Sequence, residues 1–287
     1  MAPFPERVTL GRSGLKVGPL GVSGGYGAGP GAFLKAFERG CNYFYHGSRR
    51  SAGMGAAIRE LVAAGHRDEI VVVLQSYSRL PALLERFLAR GLKQLRLESA
   101  DVLLLGWYPS LPRAATLERA LRLRERGMVR HLAISGHTRP AFVGYAGDER
   151  FSVLHLRYNA AHTGAERELF PHLAREGRPG IVAYTATRWG SLLKQRRMPP
   201  GEKPLRGRDA YRFVLSNPDI NVCIAGPRND AEMAEALATL NEGPLAPEES
   251  ARIRAIGEFV HAGSRWRDRF GRRRSGAGIV PRTPPLL

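Results

Sequence analysis

A phenol, an imidazole and a guanidinium lie close together in residues 42–50, which read NYFYHGSRR. A cation near a phenol stabilises the phenolate and lowers the pKa of the hydroxyl toward neutrality. Such a group suits general acid-base chemistry, in which a side chain gives or takes a proton during the reaction. Tyr45, His46 and Arg50 are therefore candidate catalytic residues.

Further hydrogen-bonding side chains follow the predicted strands. The set, including the residues above, is Tyr45, His46, Gln75, Tyr77, His155, Arg157, His162, Thr185, Thr187 and Arg188. Charged groups gathered at strand ends need partners or a ligand. Arg157, His162 and Arg188 together favour a small anionic ligand, acidic or phosphorylated.

Residues 184–190, YTATRWG, form the most ligand-like loop. Arg188 beside Trp189 suits an anionic or planar group, through charge and stacking. The alternative is a tryptophan that packs the loop and a solvated arginine. The substrate-binding candidates are Trp107, Arg157, Arg188 and Trp189. No metal site is expected, because His131, His137, His155 and His162 lack a ligand spacing.

Short apolar runs alternate with helical patterns along the chain and define the elements that must position these residues. Strands are predicted at 19–22, 42–45, 70–74, 102–105, 131–135, 152–156, 180–184 and 220–225. Helices are predicted to start near Gly31, Gly53, Leu80, Arg113, Pro140, Ala165, Gly207 and Asp230. Eight strand-helix units indicate an α/β protein of the (β/α)8 TIM-barrel class, preceded by a β-hairpin at residues 7–17.

The alternative fold is a doubly wound sheet, which needs a phosphate-binding G-x-G-x-x-G after its first strand. Residues 24–31, GGYGAGPG, do not match that spacing. A proline also stands where the motif needs its last glycine. This stretch is instead interpreted as a flexible loop over the barrel mouth, by which we mean the end where the carboxyl ends of the strands open.

A final helix is predicted at 247–261, followed by an Arg-rich tail. The predicted domains are the barrel, 1–263, and a flexible tail, 264–287. The net charge of +18 is mostly carried by the barrel, because the tail holds seven Arg and one Asp. A basic tail could attract nucleic acid, but no nucleic-acid motif accompanies it, so that partner is not favoured.

The chain has 287 residues, two cysteines, no 18-residue apolar run and no apolar signal sequence at its start. We therefore expect no membrane span, and a reducing, cytoplasmic setting. The sequence does not indicate an oligomeric state.

Several segments in order resemble motifs of the aldo-keto reductase family. They are 10–17 (LGRSGLKV), 127–135 (GMVRHLAIS), 157–159 (RYN), 180–185 (GIVAYT) and 224–229 (IAGPRN). The resemblance implies an NADP(H) site at the barrel mouth. It implies that Ser135 binds the nicotinamide carboxamide, that Tyr184 stacks on its ring, and that Arg228 and Asn229 bind the 2′-phosphate. His155 stands at the family's Gln position and is a further cofactor-binding candidate.

The four catalytic positions of that family all differ in this chain. Tyr45 stands for the Asp, Arg50 for the Tyr, Gln75 for the Lys and Gly106 for the His. Two interpretations follow. The active site is rewired around Tyr45, His46, Arg50 and Gln75, or the barrel is catalytically inactive and binds a cofactor or an anionic metabolite as a regulatory protein.

Overall fold

The computed structural model describes residues 3–47 and 50–271. A two-stranded antiparallel hairpin, β1 (Val8–Thr9) and β2 (Lys16–Val17), precedes the main domain. Leu10, in the turn of this hairpin, is fully buried in the cluster inside the barrel. The backbone of Gly11 lies against Gly180, so a side-chain carbon at Gly11 would be 2.1 Å from the Gly180 nitrogen. The hairpin therefore closes the amino-terminal end of the barrel.

Eight parallel strands then close into a barrel, in the order β10-β3-β4-β5-β6-β7-β8-β9. The strands are β3 (Leu20–Ser23), β4 (Tyr43–His46), β5 (Val71–Ser76), β6 (Ala100–Leu105), β7 (Val129–Ser135), β8 (Val153–Arg157), β9 (Gly180–Tyr184) and β10 (Val222–Ala225). The predicted (β/α)8 fold is confirmed. The observed strand ends differ from the predicted ones by at most two residues.

The helices follow the strands. They are α1 (Pro30–Glu38), α2 (Ala52–Ala63), α3 (Pro81–Leu95), α4 (Ala114–Glu125), α5 (Arg139–Gly147), α6 (Ala165–Glu168), α7 (Gly207–Leu215), α8 (Asp230–Glu242) and α9 (Pro247–Gly271). Leu84, Leu88 and Leu92 on α3 show why such segments are helical. Their four-residue spacing makes one apolar face, and all three are buried against the barrel.

Helix α9 is longer than the sequence predicted. It was expected to end at His261 and continues to Gly271. An Arg-rich segment without apolar periodicity does not look helical by itself, but a preceding helix with Ile253, Ile256 and Val260 buried can extend into it. The rest of the predicted tail, 272–287, lies outside the described residues. The boundary between barrel and tail stays a prediction.

The structure also shows where the two cysteines and the glycine-rich stretch at residues 24–31 lie. Cys41 and Cys223 are buried as free thiols. The glycine-rich stretch joins β3 to α1, and its Tyr26 lies against Gly226, whose missing side chain makes room for the tyrosine ring. Within the ranges that the structure describes, no helix has the length and apolarity needed to cross a membrane.

Candidate functional site

The side chains inside the barrel alternate along each strand, and this alternation selects the residues of the mouth. Val71 and Val73 on β5 are buried inside the barrel, so Gln75 also points inward. Tyr43 is likewise followed by Tyr45 on β4, and Val153 by His155 and Arg157 on β8. The inward positions nearest the mouth are Tyr45, Gln75, Gly106, Ser135, His155, Arg157 and Tyr184.

Tyr45, Tyr77 and Gln75 form one hydrogen-bonded group. The Tyr45 hydroxyl donates to the Tyr77 oxygen, which raises the pKa of Tyr45 and lowers that of Tyr77; a bond from Gln75 also lowers the Tyr77 pKa. Burial is the larger influence on both phenols and raises both pKa values, that of Tyr45 well above its ordinary range. Tyr77 is 44% exposed and is the most exposed residue of the group, since Tyr45 and Gln75 are half-buried.

The activation of Tyr45 by Arg50 stays a prediction. After burial, the neighbours that influence the pKa of Tyr45 most are Tyr77, Tyr26 and Tyr184, and all of them raise it. Arg50 itself is exposed just before α2. A phenol in these surroundings is neutral at physiological pH.

Gly106 has no space for a side chain. An added Cβ would be 2.3 Å from Gln75 Nε2 and 2.8 Å from the Tyr77 ring. Gln75 and Tyr77 therefore occupy the volume in which a side chain from β6 would lie. The glycine at this position and the Tyr77 group thus depend on each other sterically.

Gly106→Ala is expected to lower the free energy of unfolding by roughly 1–3 kcal/mol, because the new methyl group overpacks the site. Urea unfolding measures the change. Gly144→Ala is the matched control, since its Cβ would meet nothing within 4 Å on a helix. Combining Gly106→Ala with Tyr77→Ala should recover part of the loss. A strictly additive double variant would contradict the proposed steric coupling.

His155 and Ser135 lie deeper than the tyrosine group. His155 is 2% exposed, and its Nε2 is 2.7 Å from the Tyr43 hydroxyl. Burial lowers its pKa to about 3, so the ring is neutral. The Ser135 oxygen accepts a hydrogen bond from the Trp107 backbone nitrogen at 3.1 Å, which leaves its own proton available to a ligand.

An arc of aromatic rings borders the mouth. Ring centroids are 6.2 Å apart for Tyr184 and His137, 6.0 Å for His137 and Trp107, and 4.8 Å for Trp107 and Tyr77. The Tyr184 hydroxyl donates to the Gly136 carbonyl at 3.0 Å and fixes one end of the arc. We call these four residues, Tyr184, His137, Trp107 and Tyr77, the aromatic arc.

Arg157 pairs in register with Tyr184 and points into the same mouth. The side chain is half-buried, and burial together with Arg139 lowers the pKa of its guanidinium. Among the described residues it has no hydrogen-bond or ion-pair partner. Its charge also lowers the pKa of His137 and His162, after burial of those rings.

Three predicted residues lie away from this centre. The side chain of His46 points away from the barrel interior, opposite to that of Tyr45 on β4, and faces Gly55 of α2. Arg188 donates to the Val260 carbonyl of α9 at 3.4 Å, and Trp189 is 60% exposed on the same loop. Thr185, Arg188 and Trp189 all have left-handed backbone angles, with φ between 51° and 61°, which is strained for non-glycine residues.

The β10–α8 loop holds the residues predicted to bind a cofactor phosphate. Asn229 caps α8 by accepting from the Glu232 nitrogen at 2.9 Å. Arg228 forms an exposed ion pair with Glu232, its Nε 2.7 Å from a carboxylate oxygen. The amino terminus of α8 and the Arg228 guanidinium suit a phosphate. To bind one, the guanidinium would give up its ion pair with Glu232. Because exposed pairs are weak, these residues and the free Ser135 proton fit NADP(H).

Neither Tyr77 nor His137 is among the catalytic, cofactor-binding or substrate-binding residues that the sequence predicts. Both carry a usable signal. Each lies two residues beyond an inward-pointing position, Gln75 and Ser135 respectively, so the alternation predicts that they face the mouth. Over the residues that the structure describes, no three His, Cys, Asp or Glu side chains group as metal ligands would.

Comparisons with known proteins agree with the fold. A family model described as Aldo/keto reductase family matches residues 32–209. An aldo-keto reductase from Bacillus halodurans, AKR11C1, is similar in its apo and holo forms, with TM-scores of 0.69 and 0.70 and 18% identity over 87% of this chain and 95% of that chain. An aldo/keto reductase from Klebsiella pneumoniae in complex with NADP and acetate has a TM-score of 0.70 and 18% identity, over 88% and 95%. No curated protein matches the sequence.

Proposed function

Since the chain belongs to the aldo/keto reductase family, we propose that it is an NADP(H)-dependent oxidoreductase with a rewired active site at the barrel mouth. The observation that carries the proposal is the hydrogen-bonded group of Tyr45, Tyr77 and Gln75. It provides a neutral phenol that faces the mouth and accepts two hydrogen bonds. The Klebsiella pneumoniae relative in complex with NADP supports the choice of cofactor.

In the proposed reaction Tyr77 donates its hydroxyl proton to the carbonyl oxygen of the substrate. The phenolate left on Tyr77 accepts hydrogen bonds from Tyr45 and from Gln75, and these bonds strengthen as charge develops. Bound NADPH would supply the hydride to the carbonyl carbon. Tyr45 and Gln75 thus position and stabilise the donor, and the proposed step assigns no role to His46 or Arg50.

The cofactor is proposed to lie across the mouth between β7 and α8. Ser135 donates its free proton to the carboxamide, Tyr184 offers its ring to the nicotinamide, and Arg228 with Asn229 binds the 2′-phosphate. His155 lies beside this site with its Nε2 2.7 Å from the Tyr43 hydroxyl, and it supports the site through Tyr43. The substrate is proposed to be small and anionic, because Arg157 faces the mouth.

Binding of NADPH, followed by its fluorescence, tests the proposal. We expect a dissociation constant in the range of about 1 μM to 1 mM, typical of enzyme ligands. Arg228→Ala should weaken NADPH and leave NADH unchanged, because only NADPH has the 2′-phosphate. An absence of binding at millimolar NADPH would overturn the proposal.

A non-catalytic barrel that binds a cofactor or an anionic metabolite and acts through a partner is the second candidate. The raised pKa of Tyr45 favours it, because the cation that would activate this phenol is not among its main influences. This candidate predicts NADPH binding without turnover. Oxidation of bound NADPH by any carbonyl in a substrate panel would exclude it.

A further inference from the structure

Arg157 is half-buried and points into the barrel mouth. Several other half-buried arginines have carboxylate partners: Arg67 with Asp101, Arg139 with Glu168, Arg178 with Asp219, Arg208 with Glu235, and Arg254 with Glu166. Arg157 has no such partner among the described residues. Partial burial of an unpaired charge costs free energy, so a guanidinium kept in this state indicates an anion that binds there.

Within the part of the chain that the structure describes, no carboxylate is paired with Arg157. The inward positions of the mouth are phenols, imidazoles, an amide and a hydroxyl, and Arg139 nearby is occupied by two hydrogen bonds to Glu168 at 2.9 Å. Since none of the described carboxylates serves this charge, we assign the anion to a ligand.

The charge of the site matches a carboxylate better than a phosphate. Burial and nearby cations lower the pKa values of His137 and His162, the latter to about 3, so both rings are neutral at physiological pH. One guanidinium then faces the ligand. The planar guanidinium of Arg157, with its single charge and parallel N–H donors, suits a carboxylate, which accepts two parallel hydrogen bonds.

The aromatic arc defines the rest of the ligand. It begins at Tyr184, the register partner of Arg157, and ends at Tyr77. The rings of His137, Trp107 and Tyr77 suit an aromatic body by stacking, and the ring of Tyr184 is left to the nicotinamide of the proposed cofactor.

We propose that Arg157 binds the carboxylate of an aromatic carboxylic acid whose ring lies along the aromatic arc. Resting on the proposed function, the substrate is then an aromatic acid that also has an aldehyde or ketone, with its carbonyl at Tyr77. The carboxylate site itself can be tested without cofactor or turnover.

The test is calorimetric titration of the full chain, without cofactor, with benzoate, its neutral isostere benzamide, acetate and inorganic phosphate. Benzoate should bind roughly 10- to 100-fold more tightly than benzamide, the range for charge-assisted hydrogen bonds. It should also bind more tightly than acetate, because acetate lacks the ring. Phosphate binding tighter than benzoate would overturn the carboxylate assignment.

Arg157→Met should remove the preference for benzoate over benzamide, and Arg157→Lys should restore part of it. Arg90→Met, on the exposed side of α3, is the control with the same change of charge and should bind as the original chain does. The melting temperature of Arg157→Met should not fall, because the charge it removes is unpaired. Unchanged benzoate binding in this variant, or lost binding accompanied by a lower melting temperature, would overturn the proposal.

Failure of this proposal and failure of the proposed function give different results. Benzoate binding that depends on Arg157, without NADPH binding, supports the carboxylate site and contradicts the reductase. NADPH-driven turnover of 4-formylbenzoate and its methyl ester at equal kcat/KM contradicts the carboxylate site and supports the reductase.

Discussion

Tyr77→Phe is expected to lower kcat for carbonyl reduction by roughly 100- to 10,000-fold, the usual contribution of a general acid. The variant keeps the ring, and with it the contact to Trp107, but loses the proton and the oxygen that accepts from Tyr45 and Gln75. Steady-state kinetics on the best substrate of the carbonyl panel measures the effect. KM should change little, because the ring still borders the mouth.

Tyr45→Phe is expected to lower kcat less than Tyr77→Phe does. It removes one of two hydrogen bonds to the Tyr77 oxygen, and kcat should fall by roughly 10- to 100-fold. Tyr26→Phe is the control, since Tyr26 is 45% exposed at the same mouth and packs on Gly226. If Tyr45→Phe reduces kcat as far as Tyr77→Phe does, or further, Tyr45 is the donor, as the sequence suggested.

The pH dependence of turnover gives a separate readout of the same assignment. Burial raises the pKa of Tyr45, Tyr77 and Tyr184 above the ordinary value of 10 and lowers that of His137 and His155 below 6.5. These groups of the mouth therefore do not titrate between pH 7 and 9. A flat kcat/KM across this window is expected, and an ionisation near pH 8 would contradict a neutral phenol as donor.

His155→Gln is expected to make the protein less sensitive to acid. In the folded chain the His155 pKa is about 3, compared with 6.5 for a solvated ring. Above pH 6.5 the ring is neutral in both states, and its full contribution to stability is present. As the pH falls below 6.5, the unfolded chain takes up a proton that the folded chain does not, so the free energy of unfolding falls.

For this one side chain the loss amounts to about 2 kcal/mol between pH 8 and pH 5. Glutamine keeps a hydrogen-bonding group opposite the Tyr43 hydroxyl and does not titrate, so urea unfolding of the variant should show a shallower pH slope. His162 contributes in the same direction and remains in the variant. His172→Gln, an exposed change, is the control. Equal slopes in His155→Gln and the original chain would show that His155 is protonated while folded.

Most of the fold was predictable because it depends on local patterns. Short apolar runs and the apolar spacing of α3 placed strands and helices within one or two residues of their observed positions. The end of α9 was not predictable, since its extension depends on the packed helix before it. Alternation along strands also put Gln75, Ser135 and Tyr184 at one end of the barrel, although it could not show which hydroxyl donates to which.

Residues 42–50 show most clearly which properties follow from the sequence and which depend on the tertiary structure. Asn42 accepts from the Gly18 nitrogen and donates to the Lys16 and Glu69 carbonyls, and Phe44 is fully buried, so these two residues serve the barrel structure. Sequence alone predicted the barrel and the family, and both are confirmed, whereas the replacement of all four catalytic positions stays a prediction. These follow from residue type and spacing along one chain.

Only the tertiary structure decided that Tyr77, from the next strand, fills the volume opposite Gly106 and bonds to Tyr45. It also decided that His46 faces α2, and that Arg157 reaches the mouth without a partner among the described residues. The physical reason is that pKa values, pairing and free volume depend on neighbours from other strands. The closed barrel brings those neighbours within hydrogen-bonding distance, whereas the chain separates them by tens of residues.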